Sequence, residues 1–283
     1  MAALSAGRKA TLAISIVVYE TAEEELLENL RKVLVSIELL SKQSLIDTPV
    51  KINLVNNGNE SLRQDKIERL FDARERTNCQ LTILEGHGNI GYGRAQNLAL
   101  HNDTSDLLVI MNPDVAIEES ALSEGSRYML DNPDVVAVSP LRVLADSSSE
   151  HLCKEYPTLL ALFLRGFGPK FLKERLQSRL LRYEIESLDI NTPAKGLPII
   201  SGCFIVCRQS AFNEIGGFDP RYFLYFEDFD FSLRLRKVGK LAFLPSMRIS
   251  HKGGQTAKKG ILHIVLFIRS ALSFFNTHGW KWI

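Results

Sequence analysis

The chain lacks the features of a disulfide-stabilised or nucleic-acid-binding protein. Its 283 residues include only four cysteines, and Lys and Arg outnumber Asp and Glu by 34 to 33. A balanced charge provides no basic surface for nucleic acid, so we expect no nucleic-acid partner. Cys203 and Cys207 share an apolar run, and no second pair completes a zinc site. The cysteines are therefore predicted to be reduced core residues of a cytoplasmic protein.

Long apolar runs are also absent. Residues 1–10 lack the apolar core of a signal peptide. The longest candidate, residues 261–275, contains His263 and Arg269 and is shorter than the roughly 18–20 apolar residues that span a bilayer. We therefore expect no integral membrane protein. The basic amphipathic segment 158–183 and the C-terminal tail helix indicate peripheral contact with an anionic membrane, on the inner face of the cell membrane; a solvated face is the alternative.

Apolar β-branched runs alternate with amphipathic stretches through the first 140 residues. The predicted strands are 12–19, 50–55, 80–84, 106–111 and 135–139, and the helices between them are 23–41, 61–78, 94–101 and 120–132. This alternation predicts an α/β protein with a mostly parallel central sheet flanked by helices. The alternation fails over 141–198. Further strands are predicted at 199–208 and 240–245, and a tail helix from Lys258 onward.

Polar residues follow several predicted strands, where parallel sheets bind ligands. Tyr19, Asn56 and Glu85 lie at such ends, and Asn112-Pro113-Asp114 closes the fourth strand. A carboxylate there can hold a divalent cation that bridges a diphosphate. An Asx turn that caps the next helix is the alternative.

A glycine-rich run occupies residues 86–93. Its glycines allow backbone amides to approach an anion at the start of the following helix. The spacing matches neither a Rossmann fingerprint nor a Walker loop, and a flexible loop is the alternative.

An acidic and aromatic segment begins with Gly216-Gly217-Phe218-Asp219 and continues through Glu227-Asp228-Phe229-Asp230 to Arg234. Glu227 and Asp228 are predicted to start a short helix on which Asp230 pairs with Arg234, four residues on. Asp228 or Glu227 is then left to accept a proton from a hydroxyl group. The alternative is that acids simply favour a helix N-terminus. His251, after the last predicted strand, is a metal ligand or a structural histidine.

Together these motifs resemble the inverting family 2 glycosyltransferases, and most closely their bacterial rhamnosyltransferase-like branch. The resemblance covers residues 10–255 and implies a GT-A fold with a small subsheet on the acceptor side. It implies nucleotide-sugar binding by residues 10–140, an acceptor-binding and catalytic part at 196–255, and a helical tail at 256–283.

The resemblance also implies roles for single residues and a divalent metal, Mg²⁺ or Mn²⁺. Tyr19, Asn57 and Gly91 would lie near the nucleobase and ribose, and Gly202 and Cys203 along the donor sugar. Asn112 and Asp114 would form the metal motif, and His251 would complete the metal shell. Asp228 would be the base, with Glu227 beside it at the catalytic position. Asn112 stands where the family's motif begins with aspartate, and Asn56 where aspartate is frequent. An amide binds metal more weakly, so Asp114 and the diphosphate would provide most of the affinity.

The implied reaction moves a sugar, rhamnose by analogy with the branch, from a nucleoside-diphosphate sugar to a hydroxyl of a glycan or lipid-linked acceptor. The expected context is bacterial surface polysaccharide synthesis. One alternative is a nucleotidyltransferase, which should carry a Gly- and Lys-rich loop after the first strand; here Tyr19-Glu20-Thr21 follows instead. Another is a non-catalytic protein that binds sugar nucleotides.

Overall fold

The computed structural model describes residues 8–72, 78–251 and 260–283. The strands in these ranges are β1 Leu12–Val18, β2 Val50–Asn56, β3 Cys79–Leu84, β4 Leu107–Met111, β5 Val115–Ile117, β6 Val135–Val143, β7 Ser149–His151, β8 Cys153–Lys154, β9 Ala194–Lys195, β10 Ile199–Ile200, β11 Phe204–Arg208 and β12 Lys240–His251. The helices are α1 Glu23–Lys42, α2 Gln64–Asp72, α3 Tyr92–Leu100, α4 Ala121–Asp131, α5 Leu159–Phe167, α6 Lys170–Arg175, α7 Gln177–Tyr183, α8 Gln209–Glu214, α9 Glu227–Leu235 and α10 Ile261–His278.

One large sheet runs through the molecule in the order β3-β2-β1-β4-β11-β6-β12-β5, with β7 on β6 and β9 on β12. The first four strands of this order are parallel, and β12 is parallel to β6. Every residue of β1 is buried, as expected for a strand covered on both faces. The predicted α/β fold with a mostly parallel central sheet is confirmed.

The strand predicted at 199–208 is two strands with different partners. β10 pairs with β8 in a separate two-stranded sheet, and β11 lies antiparallel between β4 and β6 in the large one. Residues 201–203 turn the chain from one sheet to the other. This turn brings Gly202 and Cys203 to the end of β4.

The prediction that the last strand ends at Pro245 was wrong. The pairing of β12 with β6 shifts register between Leu244 and Arg248, and the strand then continues to His251. Proline has no N–H to donate to a ladder, so it marks a bulge here and not an end. His251 therefore lies within the strand, opposite Val115 of β5.

Three further predictions concern the basic segment, the second helix and the cysteines. The basic segment 158–183 forms the three short helices α5, α6 and α7. The helix predicted at 61–78 is α2, and residues 73–77 lie outside the described residues, as do 1–7 and the predicted start of the tail helix at Lys258. The four cysteines are free, and three of them are buried.

The tail helix α10 lies within the predicted tail 256–283 and extends beyond the apolar run 261–275. Among the described residues, α10 is the single helix long and apolar enough to cross a membrane by length and composition. The prediction had ended this run at Phe275, three residues before the end of α10. One face of α10 packs through Phe274 and Phe275 on Tyr222 and Phe226, so the helix joins the chain that leads into α9.

Candidate active site

The end of β4 brings an acid and a histidine together. The peptide N–H of Asn112 donates to the carbonyl of Cys203, 2.8 Å away, which fixes the turn after β4. The chain then enters β5, whose pairing with β12 places His251 beside Asp114. Asp114 Oδ2 and His251 Nε2 are 3.1 Å apart. The two residues predicted as metal ligands therefore share one site.

The donor set of this pair fits a hard divalent cation. Burial opposes protonation of His251, but the hydrogen bonds and charges of Asp114 and Cys203 together outweigh it, and the pKa of the imidazole rises to about 9. A metal would replace that shared proton, since ligands bind deprotonated. The described residues hold no group of three or more His, Cys, Asp or Glu arranged for a metal. Two protein ligands suit Mg²⁺ or Mn²⁺, whose shell phosphate and water complete.

Asp228 is held in one orientation by two peptide groups. Its Oδ2 accepts from the N–H of Gly202 at 3.0 Å, and its Oδ1 from the N–H of Phe229 at 2.9 Å. Burial raises the pKa of this carboxyl above its usual range, while the two N–H donors oppose that rise. A carboxylate oriented in this way, with a raised pKa, suits a general base.

Glu227 is the more deeply buried member of the acidic pair. Its Oε2 has no hydrogen-bond partner among the described residues. Burial, together with the neighbouring Asp228, raises the pKa of Glu227 to about 8. Near neutral pH Glu227 therefore keeps its proton, and Asp228 is the member of the pair that ionises first.

Tyr92 is a site residue that sequence reasoning did not select. Its hydroxyl donates to the carbonyl of Gly202 at 2.9 Å, and the N–H of the same glycine donates to Asp228. Burial holds the pKa of Tyr92 well above its usual value, so the hydroxyl remains a donor. The available signal was an aromatic residue inside a glycine-rich run, which does not by itself predict a partner 110 positions away.

The glycine-rich loop is fastened by asparagine side chains. Asn57 donates to Asn89 Oδ1 at 2.9 Å and accepts from the N–H of Ile90 at 3.0 Å. Gly91 has φ +89°, and a Cβ there would lie 2.5 Å from the carbonyl oxygen of Phe223. Asn57 and Gly91 are therefore both held in place by this loop, and the side chain of Asn57 stabilises the loop through its hydrogen bonds.

A cavity of about 670 Å³ opens at the ends of β1 and β2. Its lining includes Tyr19, Asn56, Glu60 and Arg63. The amide of Asn56 donates to the carbonyl of Glu60 at 2.7 Å and to the carboxylate of Glu85 at 3.3 Å. The volume is that of an ordinary small-molecule site and suits a nucleoside.

Helix α9, which begins with the acidic pair, is hydrogen-bonded to α10 through Asp230. The predicted pair of Asp230 and Arg234 is confirmed, with 2.6 Å between Oδ2 and Nη2. The other carboxylate oxygen of Asp230 lies 2.7 Å from Nε2 of His278, to which the sequence analysis assigned no role. Asp230 is fully buried, so its two oxygens depend on these two partners for their hydrogen bonds.

The predicted site residues thus fall into two groups. Tyr19, Asn57 and Gly91 lie toward the ends of β1 and β2, and Asp114, His251 and Asp228 surround the turn at Gly202 and Cys203. The turn connects the last three, because Cys203 bonds Asn112 and Gly202 bonds Asp228. That Asp114 and Asp228 face one donor-sugar cavity stays a prediction.

The chain matches known proteins over most of its length. The model of the family described as Glycosyl transferase family 2 matches residues 14–216. An N-acetylglucosaminyl-diphospho-decaprenol L-rhamnosyltransferase of Mycobacterium tuberculosis is 27% identical over 264 residues, which cover 86% of this chain and 80% of that protein. Rhamnosyltransferase WbbL of Escherichia coli is 25% identical over 177 residues, 58% of this chain and 61% of that protein.

Solved structures share the fold. The structure of GalNAc-T7 with UDP, GalNAc and Mn²⁺ superposes with a TM-score of 0.60 at 12% identity, covering 95% of this chain and 48% of that one. The mannosyltransferase PcManGT of Pyrobaculum calidifontis, in complex with GDP-Man and Mn²⁺, gives 0.58 at 15% identity, covering 96% and 77%.

Proposed function

Because the chain belongs to glycosyl transferase family 2, we propose that this glycosyltransferase moves rhamnose, with inversion, from a nucleoside-diphosphate sugar to a hydroxyl of a lipid-linked acceptor. Both curated relatives described above are rhamnosyltransferases, and the mycobacterial name specifies a diphospho-decaprenol acceptor. The proposed setting is bacterial surface polysaccharide synthesis in the cytoplasm, at the inner face of the membrane. Residues 10–140 bind the donor, 196–255 the acceptor, and 256–283 form a tail.

The chemistry begins with Asp228. The acceptor hydroxyl gives its proton to the carboxylate as its oxygen attacks the anomeric carbon. The bond from that carbon to the diphosphate breaks, and the nucleoside diphosphate leaves with the bonding electrons. Asp228 is suited to this role because Gly202 and Phe229 fix its oxygens and burial strengthens it as a base.

Asp114 and His251 would hold the divalent metal, which supplies charge stabilisation to the departing diphosphate. The neighbouring structures with Mn²⁺ support this assignment. Tyr19 and the cavity beside Asn57 and Gly91 accept the nucleoside, while Gly202 and Cys203 lie along the sugar. Glu227, protonated near neutral pH, leaves a single negative charge at the base.

One observation carries the proposal: the half-buried Asp228 carboxylate is hydrogen-bonded to the same turn that fixes the strand end carrying Asp114. A nucleotidyltransferase has no need of a base at this position.

The test is transfer from a panel of nucleotide sugars to a lipid-diphosphate acceptor with Mn²⁺ or Mg²⁺. We expect one donor, a rhamnose donor, to give product of inverted configuration. Asp228→Asn should lower kcat by about 10² to 10⁴-fold and leave the donor Kd unchanged. Asp131→Asn, an exposed acid at the end of α4, is the control. Full activity of Asp228→Asn, or donor binding without any transfer, would contradict the proposal.

A further inference from the structure

Helix α10 has one face that is already occupied. Ser270 donates to the carbonyl of Leu224 at 2.8 Å, His263 Nδ1 lies 2.8 Å from the hydroxyl of Tyr225, and His278 lies 2.7 Å from Asp230. The ring of Phe274 packs 5.3 Å from that of Phe226. These contacts run along the whole helix, so its inner face belongs to the loop that leads into α9.

The opposite face of α10 is apolar and uncovered. Successive residues at helical spacing lie on it and form a stripe more than three turns long. Their exposed fractions range from 39% to 80%, and the members are Ile261, Ile264, Val265, Ile268 and Leu272. A soluble monomer rarely exposes a contiguous patch of this kind, and such a patch marks an interaction surface.

Two tryptophans extend this stripe beyond the end of the helix. The ring of Trp280 stacks on Phe275 at 5.3 Å, and that of Trp282 on Trp280 at 6.0 Å. The backbone that carries them is fixed, because the N–H groups of Leu159 and Leu160 donate to the carbonyls of residues 281 and 282. Both indoles nevertheless remain exposed, by 42% and 67%. Tryptophan in this half-exposed position is typical of a membrane interface.

The part of the sequence that carries the stripe has charged residues of one sign only. Asp230 is the last acidic residue of the chain, and residues 231–283 carry ten basic residues: Arg234, Arg236, Lys237, Lys240, Arg248, Lys252, Lys258, Lys259, Arg269 and Lys281. Arg269 is exposed on α10 itself, and Lys281 stands between the two tryptophans. An apolar stripe flanked by cations is complementary to anionic lipid.

We propose that this docking face, made of the α10 stripe with Trp280 and Trp282, binds the surface of an anionic lipid bilayer. The helix lies in the plane of the membrane and does not cross it. Crossing would separate Ser270, His263 and His278 from their partners and would expose the buried Asp230. Docking of the outer face leaves all of these contacts intact.

Docking in this orientation brings the acceptor side of the enzyme to the lipid. The inner face of α10 holds residues 224–226, directly before Glu227 and Asp228. The base is therefore placed near the headgroups, where a lipid-linked hydroxyl is presented. This part rests on the proposed function, whereas the docking itself does not.

The protein carries its own probe for the test. Its two tryptophans are both in the docking face, so their fluorescence reports on this surface alone. The full chain is mixed with vesicles of phosphatidylcholine, with or without phosphatidylglycerol. We expect the emission to shift to shorter wavelength, and lipids brominated near the headgroup to quench it, with the phosphatidylglycerol vesicles only.

A matched pair of variants localises the contact. Ile264→Asp with Ile268→Asp should lower the vesicle partition coefficient by roughly tenfold or more, since two apolar side chains are lost from the lipid. Leu98→Asp places one of the two added charges on an exposed leucine of α3 instead and should bind vesicles as the wild type does. Thermal unfolding confirms that all three proteins fold.

Several outcomes would overturn the docking. They are an unshifted emission, equal binding by the double variant, quenching only by lipids brominated deep in the chains, and a dimer in solution that the double variant abolishes. Transfer to a short, water-soluble acceptor without vesicles separates the two proposals. The double variant should retain that rate, and a protein that binds vesicles but transfers no sugar refutes the proposed function alone.

Discussion

Gly202 is the residue on which the position of Asp228 depends most directly. A Cβ at residue 202 would lie 2.9 Å from Cβ of Asp228, closer than real side chains approach. We expect Gly202→Ala to displace the carboxylate and lower kcat by roughly 10²-fold, because a shift of about 1 Å has that effect on positioned groups. The donor Kd should stay within about twofold, as measured by calorimetry.

The matched control for this change is Gly166→Ala, since an added Cβ at that exposed glycine meets nothing within 4 Å. It should leave both quantities unchanged. A Gly202→Ala enzyme with wild-type kcat would show that the contact does not position Asp228.

Glu227 should make the stability of the protein depend on pH. Its pKa is 4.5 when unfolded and about 8 when folded, so the native state holds the proton longer. The stabilising contribution is complete below pH 4.5 and is lost as the pH rises through about 8. Glu227→Gln removes this dependence. Relative to wild type, the variant should gain on the order of a few kcal/mol between about pH 5 and about pH 9.

Urea unfolding at both pH values measures this gain, with Glu119→Gln, an exposed acid, as the control. Equal slopes with pH for wild type and Glu227→Gln would mean that Glu227 is ionised in the native protein.

Some residues of the candidate site could be selected from the sequence alone, and others could not. Asp114 and Asp228 could be selected because each belongs to a local acidic motif at an element end. Tyr92 and His278 could not, because their partners are 110 and 48 positions away and only folding brings them together. Asn57 was expected to lie near the ligand, but its side chain binds Asn89 and Ile90, a pairing that no local pattern encodes.

Helix α10 supports the chain on either side of the acidic pair, through residues 224–226 and Asp230. Tyr225 and Phe226 adopt left-handed backbone conformations, at φ 70° and 63°, which cost about 1–2 kcal/mol each for residues with side chains. The contacts of α10 with residues 224–226 and with Asp230 maintain this conformation.

Breaking one of these contacts should therefore affect both stability and rate. His278→Ala leaves one oxygen of the buried Asp230 without its partner and should lower the free energy of unfolding by about 1–3 kcal/mol. A fall in kcat at unchanged donor Kd should accompany it, because α9 begins with the base. His101→Ala, an exposed histidine, is the control in the same denaturation and rate measurements. An unchanged kcat in His278→Ala would limit this contact to a structural role.

The elements themselves were predictable where their signals were local. Strands β1 to β4 are rich in apolar residues, and the helices between them carry 3.6-residue periodicity. The extent of β12 was not predictable. Pro245 in the sequence predicts the end of a strand, but pairing with the neighbouring strands β6 and β5 continues beyond it. Outside the amphipathic segment 158–183, the chain from 141 to 198 has no periodicity to interpret, since its strands β7, β8 and β9 are two or three residues long.

At the scale of the whole molecule, opposite charges are separated along the chain. Residues 231–283 hold ten of the 34 basic residues and none of the 33 acidic ones, which leaves 24 basic and 33 acidic residues in the first 230. The net charge of +1 therefore conceals about −9 in one part and +10 in the other. An anionic surface would orient such a molecule as it approaches.

The whole molecule should also respond to ligand only when metal is present. A nucleotide sugar at about a hundredfold excess over its Kd adds about 2.7 kcal/mol of stability. For a domain of this size that raises Tm by roughly 5–10 °C. The shift should require Mn²⁺ or Mg²⁺ and disappear with a chelator or in Asp114→Ala, while Asp131→Asn keeps it. A full shift in the presence of chelator would exclude a metal role for Asp114.

The contact between the glycine-rich loop and the chain that leads into α9 has a kinetic consequence. The N–H of Tyr92 donates to the carbonyl of Phe223 at 3.1 Å, so the loop directly supports the chain that precedes Glu227 and Asp228. Under the proposed function, a nucleotide that orders this loop completes the acceptor pocket, and we expect the donor to bind before the acceptor. The nucleoside diphosphate is then the last product to leave, and it inhibits the enzyme competitively with respect to the nucleotide sugar.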